Sequence, residues 1–425
     1  MGIRRCVMAF GISAGLAACG TTHVSKTLGA EDERSYDALY PYYAELCALS
    51  QFKKKPGFGA EVSSGLYQGI GGHAVLYLNG VCRVADAHYP TVALCSPATD
   101  GNGSGVGISV NAHYKNATWI ATPGRDFFFH GTLGPHQPLT RDAYRRTQAK
   151  AKALGILDGV EFHSEVFTEI PPGMSERDYM YEVSIATDYA IGFGRDRYCA
   201  RVPMERAQMA RVVAFLNELN EPYREGKREF EWDVLRNNCS HVLHNALAAA
   251  GVWRPWPIER FRLFAAVNFP VPKNEFVNLM RRTNDLPLDD PAALYRDEAG
   301  RRALMEEGWL PMEPGALAEA ERVVQDNDVY ATDLDLIFYD DPIIGVYRRR
   351  FARIFSEPRY TDLHANLAYF EALYGRIGHV ATIHGGDEAD FDRRFDAYIA
   401  DERARVTAAL GRLDRPTAPV AAAQR

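Results

Sequence analysis

The run Gly71–Leu78, with the sequence GGHAVLYL, decides the fold because it places a histidine at the head of an unbroken apolar stretch. That pattern predicts a buried strand that begins at His73. A second run, Asn237–His241 with the sequence NNCSH, opens an apolar stretch with helical spacing. A histidine at the head of a strand and a cysteine at the head of a helix can form a thiolate–imidazolium pair. The two runs therefore predict a nucleophilic cysteine.

The position of Cys239 at a predicted helix start favours this chemistry. A free cysteine has a pKa of about 8.5, so it carries little thiolate at neutral pH. The N–H groups and the dipole of a first helical turn favour an anion, and they can also receive an oxyanion. Asn237 or Asn238 supplies the capping side chain. The alternative for Cys239 is a small buried apolar residue, and for His73 a hydrogen-bonded core histidine.

The N-terminus predicts a targeting segment. Two arginines precede the apolar residues 7–18, which are too few to span a bilayer, and Cys19 follows at once. The segment resembles a bacterial lipobox, which implies that residues 1–18 are removed and that Cys19 is lipidated. Gly20 after the cysteine implies the outer membrane. A plain secretory signal is the alternative.

Cysteine counting predicts one free thiol. The sequence has seven cysteines, and five remain after Cys6 and Cys19 are set aside. Five is an odd number in an exported, oxidising compartment, so at most two disulfides form, and Cys239 is the one expected to stay free. Cys82 with Cys95 is a plausible pair. No CxxC or HExxH spacing supports a zinc site, although a metal bound by His73, His88 and His113 is a third interpretation.

Length and charge bound the remaining possibilities. A chain of 425 residues suggests two domains, and a net charge of -7 without a basic tract argues against nucleic acid as a partner.

Strands are predicted at 74–86 around Asn79-Gly80, 106–110, 117–122, 181–185 and 198–202. Helices are predicted at 36–50, 141–154, from 203 onward, from 239 to about 250, and at 274–282, 290–306, 315–325, 342–355, 361–376 and 386–412.

The order of these pieces resembles the circularly permuted papain-like proteins. These include the lecithin:retinol acyltransferase-like proteins, the PPPDE isopeptidases and permuted NlpC-type proteins, and the closest similarity is to the Lnb N-terminal periplasmic domain. The resemblance is carried by Gly72-His73-Ala74, the helix over 205–219, the aromatic segment 230–232 and Asn238-Cys239. It implies an α+β fold, in which an antiparallel sheet packs on helices.

The patterns along the chain divide it into regions, and the resemblance assigns roles within one of them. By pattern, residues 19–60 form a tether and an N-terminal helix, and a boundary at the Trp-Pro run near residue 255 is followed by a mainly helical region, 255–425, with a loose tail. The resemblance covers residues 61–254 and implies that they form the catalytic domain. By position, Cys239 is the nucleophile and His73 the general base. The fold also offers a third polar residue that orients the base, for which His88 is favoured.

Other assignments stay open at this stage. Asp86 and His113 are alternatives for the third residue. His241 and His244 are expected to be structural, and Tyr67 is expected to be a packed tyrosine.

The predicted function is that of a membrane-anchored enzyme of the bacterial envelope. A thiol hydrolase or acyltransferase would act on an amide, ester or thioester through an acyl-enzyme and would need no cofactor. The lipid on Cys19 would hold it on a membrane, facing the periplasm, where peptides and lipids of the envelope are in reach. The alternative is a binding or assembly lipoprotein that uses an inactive papain-like scaffold.

Overall fold

The computed structural model of the chain describes residues 17–20, 24–55, 72–84, 87–97, 105–257, 271–333, 336–339, 346–377 and 387–414. Most of the predicted targeting segment, together with Tyr67 and Asp86, lies outside these residues.

Ten strands are present in the described residues. They are β1 (Ala17–Gly20), β2 (Tyr43–Leu49), β3 (His73–Asn79), β4 (Val81–Arg83), β5 (Val92–Leu94), β6 (Gly105–Ser109), β7 (Ile120–Pro123), β8 (Arg197–Pro203), β9 (Leu317–Glu321) and β10 (Leu336–Tyr339). Six of them form an antiparallel sheet in the order β7-β6-β3-β2-β8-β9. The strand that begins at His73 is therefore central, with Leu49 of β2 opposite His73 and Ser109 of β6 opposite Val75.

The α-helices of the described residues lie before, between and after these strands. They are α1 (Ala30–Leu39), α2 (Arg125–His130), α3 (Arg141–Ala153), α4 (Glu176–Ser184), α5 (Arg206–Arg224), α6 (Cys239–Ala249), α7 (Pro272–Asn284), α8 (Pro291–Arg296), α9 (Glu298–Arg302), α10 (Tyr347–Ser356), α11 (Leu363–Ile377) and α12 (Asp387–Leu413). Short 3-10 turns lie at Ser164–Glu169, Ile191–Phe193 and Pro358–Tyr360, and a π turn lies at Ala303–Glu307.

Both faces of the sheet are covered. Alternate residues of a strand point to opposite faces, and Ala74, Leu76 and Leu78 of β3 share a core cluster with α5 and α6. Val75 and Tyr77 share a second cluster with the C-terminal helices α11 and α12. A strand buried on both faces has a continuous apolar sequence rather than an alternating one, which explains the run after His73.

The structure confirms the α+β class and most of the predicted elements, and corrects three of them. The helix predicted over 36–50 is instead α1 followed by β2, because β2 is buried on both faces and lacks the alternation of a half-exposed strand. The strand predicted at 181–185 is the end of α4, which Ser175 caps by accepting from the Asp178 N–H. The helix predicted at 315–325 contains β9, because its apolar residues complete the edge of the sheet.

The Asn79-Gly80 turn forms, but the strands on its two sides do not pair as a hairpin. Gly80 has a φ of 81°, a conformation that favours glycine. β4 then leaves the sheet and pairs with β5. The predicted Cys82–Cys95 disulfide joins these two strands, and a second disulfide, Cys47–Cys199, joins β2 to β8.

The region after residue 255 is rich in helices, and it also supplies β9 to the central sheet. β1, which contains Cys19, pairs antiparallel with β10 of the same region. Within the part of the chain that the structure describes, no helix is long and apolar enough to cross a membrane.

Candidate functional site

Cys239 is the first residue of α6, and its thiol is free, whereas Cys47, Cys82, Cys95 and Cys199 are joined in disulfides. The Asn238 side chain accepts a hydrogen bond from the His241 N–H at 3.1 Å, and the His241 ring faces the Asn238 N–H at 3.5 Å. This reciprocal cap fixes the helix start, as expected for an asparagine before the cysteine. The thiol is buried, with 6% of the residue exposed.

The Cys239 thiol lies against the start of β3. The helix that begins at Cys239 packs on β3, and the backbone N–H of Ala74, the residue after His73, is directed at the sulfur and lowers the pKa of Cys239. The N–H groups of Cys239 and Ser240, in the first turn of α6, are also directed at the sulfur. The structure therefore brings the two predicted runs together, although 166 positions separate His73 from Cys239.

The His73 ring is held by a hydroxyl and a carboxylate that the sequence did not indicate. Its Nε2 lies 3.2 Å from the Ser109 Oγ, and this oxygen lies 2.7 Å from the Asp188 Oδ1. A hydroxyl has a single proton to donate. If Ser109 donates it to the carboxylate, the hydroxyl accepts from a protonated Nε2, and Nδ1 of the neutral His73 ring then carries no proton. A hydrogen bond with the Thr187 carbonyl also raises the pKa of His73.

Asp188 lies in a tight turn between α4 and β8. Ala186 and Ala190 in this turn both have positive φ, 63° and 50°. The Asn111 side chain donates to the second carboxylate oxygen of Asp188 at 2.9 Å. Burial raises the pKa of Asp188, while the hydrogen bonds from Ser109 and its other polar neighbours lower it, and the net direction is upward. The turn is thus built around a fully buried carboxylate.

Of the residues considered for the third position, the structure describes His88 and His113. His88 is exposed, and its carbonyl packs against Gly159. The His113 ring stacks on Phe162 with a centroid distance of 5.8 Å, and burial lowers its pKa to about 4. The nitrogen of His73 that an orienting residue would hold bonds to Ser109 instead.

The proposed three-histidine metal site has no counterpart among the described residues. The one group of possible ligands there is Glu45 with Cys47 and Cys199, and the two cysteines are joined in a disulfide.

Two buried cations lie close to the thiol. The Arg195 Nε donates to the Ala186 carbonyl at 2.8 Å and its NH1 to the Ser50 carbonyl at 2.6 Å. Lys273, in the first turn of α7, is 1% exposed. Both positive charges lower the pKa of His73, and that of Arg195 lowers the pKa of Cys239.

Burial outweighs these charges in setting the resting state of the dyad. It raises the pKa of Cys239 above its ordinary value, and together with Arg195 and Lys273 it lowers the pKa of His73 to about 3. The thiol and the imidazole are therefore both neutral in the resting state. Burial disfavours both charged forms more than the helix start favours the thiolate, so the pKa directions do not favour a preformed thiolate–imidazolium pair.

The other histidines of α6 are structural, as predicted. The His241 ring belongs to the helix cap. The His244 ring lies between Trp253 and Trp256, with centroid distances of 4.2 and 3.9 Å. Its Nδ1 lies 2.8 Å from a Glu275 oxygen, which ties α6 to α7.

Comparisons with known proteins found no family model, no curated protein and no solved structure that matches the chain. Any function has to be inferred from the chemistry of the site itself. The site combines a thiol at a capped helix start with an imidazole whose far nitrogen is held by a serine and a buried aspartate. This arrangement can generate a sulfur nucleophile through a general base.

Proposed function

We propose that the protein is an envelope cysteine hydrolase or acyltransferase that forms an acyl-enzyme on Cys239. The observation that supports the proposal is the position of the sulfur against the backbone N–H of Ala74, the residue that follows His73 in β3. The His73–Ser109–Asp188 chain of contacts is the second support, because it orients the ring of a general base.

The low basicity of His73 favours proton transfer during attack rather than before it. As the sulfur attacks the carbonyl carbon, the S–H bond breaks and its proton passes to Nδ1 of His73. The imidazolium then returns this proton to the leaving amine, alcohol or thiol, as the acyl bond breaks. Ser109 and Asp188 stabilise the transient imidazolium through Nε2.

The first turn of α6 is suited to the oxyanion that forms in this step. The Cys239 and Ser240 N–H groups already face the sulfur, and the dipole of an 11-residue helix favours negative charge at this end. These donors are part of the backbone and need no reorganisation when the charge develops.

The antiparallel sheet and the nucleophile helix packed on it agree with the proposed relation to the permuted papain-like proteins. A lipid on Cys19 would hold the enzyme on a periplasmic membrane surface, where envelope peptides and lipids carry amide and ester bonds. The burial of Cys239 at 6% exposure favours a second candidate function, a non-catalytic binding lipoprotein on the same scaffold.

Trapping the acyl-enzyme tests the proposal. The full chain in detergent is incubated with p-nitrophenyl esters and acyl thioesters of several chain lengths, and the tryptic peptide that contains Cys239 is analysed by mass spectrometry. We expect an acyl adduct on Cys239 that hydroxylamine removes. His73→Ala should slow its formation by about 100-fold, the low end for general base catalysis.

Two variants complete this experiment. Cys239→Ser is nearly isosteric and should abolish acylation without lowering the unfolding midpoint, while Ser356→Ala, on the remote α10, should acylate like the parent. Release of product that survives Cys239→Ser would refute the mechanism, and the lack of any adduct with every donor would favour the binding protein.

A further inference from the structure

Lys273 is a deeply buried lysine at the edge of the candidate site. Its residue is 1% exposed, which is rare for lysine because an ammonium is costly to remove from water. A Cβ placed on Gly72 would lie 2.0 Å from the Lys273 Nζ and 2.2 Å from the Leu49 carbonyl oxygen. The ammonium therefore occupies the space that a side chain at residue 72 would fill, directly before His73.

Gly72 is suited to this contact for two reasons. It has a φ of 70°, which residues with a side chain rarely adopt, and it has no Cβ that would collide with the ammonium. The glycine before His73 thus makes room for the charge of Lys273 at the start of β3.

The two cations near Cys239 come from different parts of the fold. The Arg195 guanidinium is fixed by the Ala186 and Ser50 carbonyls and lies 4.4 Å from the Phe52 ring centroid. Lys273 reaches the same region from α7 on a flexible four-carbon stem. Glu275, two residues after Lys273, contacts His244 of α6, so the start of α7 lies against the helix that begins at Cys239. The negative charge of Cys239 raises the pKa of both cations.

We propose that the Lys273 ammonium, with Arg195 behind it, stabilises the negative charge on the Cys239 sulfur, so that activation of the nucleophile depends on this lysine as well as on His73. The inference rests on the proposed function in that Cys239 is the nucleophile. Lys273 is a positioning residue that stabilises negative charge on the sulfur. It does not accept the thiol proton, which passes to His73.

This role explains how a buried thiol can react although burial opposes its ionisation. Charge that appears on the sulfur lies in a region of low dielectric, where a nearby cation stabilises it more strongly than in water. The negative charge also favours the charged form of Lys273, whose pKa burial and Arg195 lower to about 7. Ionisation of the thiol and protonation of the lysine therefore support each other.

The pH dependence of Cys239 alkylation tests this inference without a known substrate. The full chain in detergent is treated with iodoacetamide between pH 5 and pH 10, and the rate at Cys239 is followed by peptide mass spectrometry. For Lys273→Met we expect the midpoint of the rate profile to rise by about one pH unit, which makes labelling at pH 7 about tenfold slower. Lys273→Gln provides a second neutral side chain if the first variant folds poorly.

Lys54→Met is the matched control, because Lys54 is a largely buried lysine that contacts Glu182 at 2.8 Å and does not lie at the start of β3. Its midpoint should equal that of the parent. Equal midpoints for the parent, Lys273→Met and Lys273→Gln would overturn the inference. Trapping of an acyl adduct would still succeed in that case, so failure of this inference and failure of the proposed function are distinguishable.

Discussion

Two buried polar regions of the molecule differ in whether their side chains are charged in the resting state. In the first, which we call the ion cluster, Arg125 and Arg201 meet Glu33, Glu45 and Glu319 beside β2, β8 and β9. Arg201 contacts both Glu33 oxygens at 2.9 Å, and Arg125 contacts both Glu45 oxygens at 3.1 Å. Burial raises the pKa of these carboxyl groups, but the arginines outweigh it at Glu33, whose pKa falls to about 2, and at Glu45, whose pKa is also lowered. At Glu319 burial outweighs the arginines, and the pKa is raised. Glu33 and Glu45 are therefore charged in the resting state.

The candidate site keeps its reacting groups neutral instead. Burial raises the pKa of Cys239 and lowers that of His73, while Ser109, Asp188 and Lys273 surround them. Buried ions that are paired in the resting state stabilise one arrangement of the chain. Buried groups that are neutral but surrounded by fixed charges can ionise briefly during a reaction. A network of paired ions is therefore typical of a structural role, and a cluster of neutral titratable groups near charges is typical of a catalytic one.

Removing a charge from the ion cluster should give the largest loss of stability. Arg201→Met leaves buried carboxylates without their partner, and such a break costs about 3–5 kcal/mol. Urea denaturation should show a clearly lower midpoint, while iodoacetamide labelling of folded Cys239 stays within about twofold of the parent. The control is Arg177→Met, which removes an exposed pair with Asp158 and should cost at most about 1 kcal/mol. Equal midpoints for the two variants would mean that the ion cluster is not a stabilising network.

Loss of the hydroxyl that holds His73 should give the next largest effect. It should lower the rate of Cys239 acylation rather than the stability of the fold. Ser109→Ala removes one hydrogen bond to the ring, worth about 1 kcal/mol, and we expect acylation of Cys239 to slow by about tenfold. Asp188→Asn should act in the same direction. Ser109→Thr keeps the hydroxyl and should recover most of the rate. If Ser109→Ala acylates as fast as the parent, the ring is oriented by another group.

The sequence predicted the local parts of the site and missed the parts that depend on strand register and turns. Asn238, Cys239 and His73 could be found because a cap, a helix start and a strand start each have a signature in neighbouring residues. Ser109 ends an ordinary apolar strand, and only its register opposite Val75 places it beside His73.

Asp188 was missed because no motif marks its turn, which follows the segment 181–185 that was predicted as a strand and forms the end of α4. The positive φ angles around it occur at alanines, which give no turn signal in the sequence. The fold shows the same limit, since the α+β class follows from periodicity, whereas β2 is buried on both faces and has no clear period.

The two regions should also lose stability in different ranges of pH. The pKa of His73 is lowered from 6.5 to about 3, so between these values the unfolded chain binds a proton that the folded chain does not. Stability from this group therefore falls as the pH drops below about 6.5, at up to about 1.4 kcal/mol per pH unit. Glu33 is shifted from 4.5 to about 2, so its contribution is present above pH 4.5 and is lost only as the pH falls toward 2.

Urea titrations at pH 7, 6, 5 and 4 separate these two contributions. His73→Gln should flatten the decline of the unfolding free energy between pH 6.5 and 4.5. In this range the contribution of Glu33 is still fully present and does not change with pH. An equally steep decline in His73→Gln and in the parent would show that the ring titrates normally in the folded protein.

The smallest effects are expected at the histidines that lie outside the contacts of the dyad. His88→Ala removes an exposed ring and should change neither the acylation rate of Cys239 by more than about twofold nor the urea midpoint. His113→Ala removes a ring stacked on Phe162 and should cost about 1 kcal/mol of stability with the same small effect on rate.

Both rates are measured by trapping the acyl-enzyme, beside Ser109→Ala. A loss of tenfold or more in His88→Ala alone would restore His88 as the orienting residue and reduce Ser109 to a packing role. If only Ser109→Ala slows acylation, the hydroxyl and its buried aspartate are the groups that hold the base.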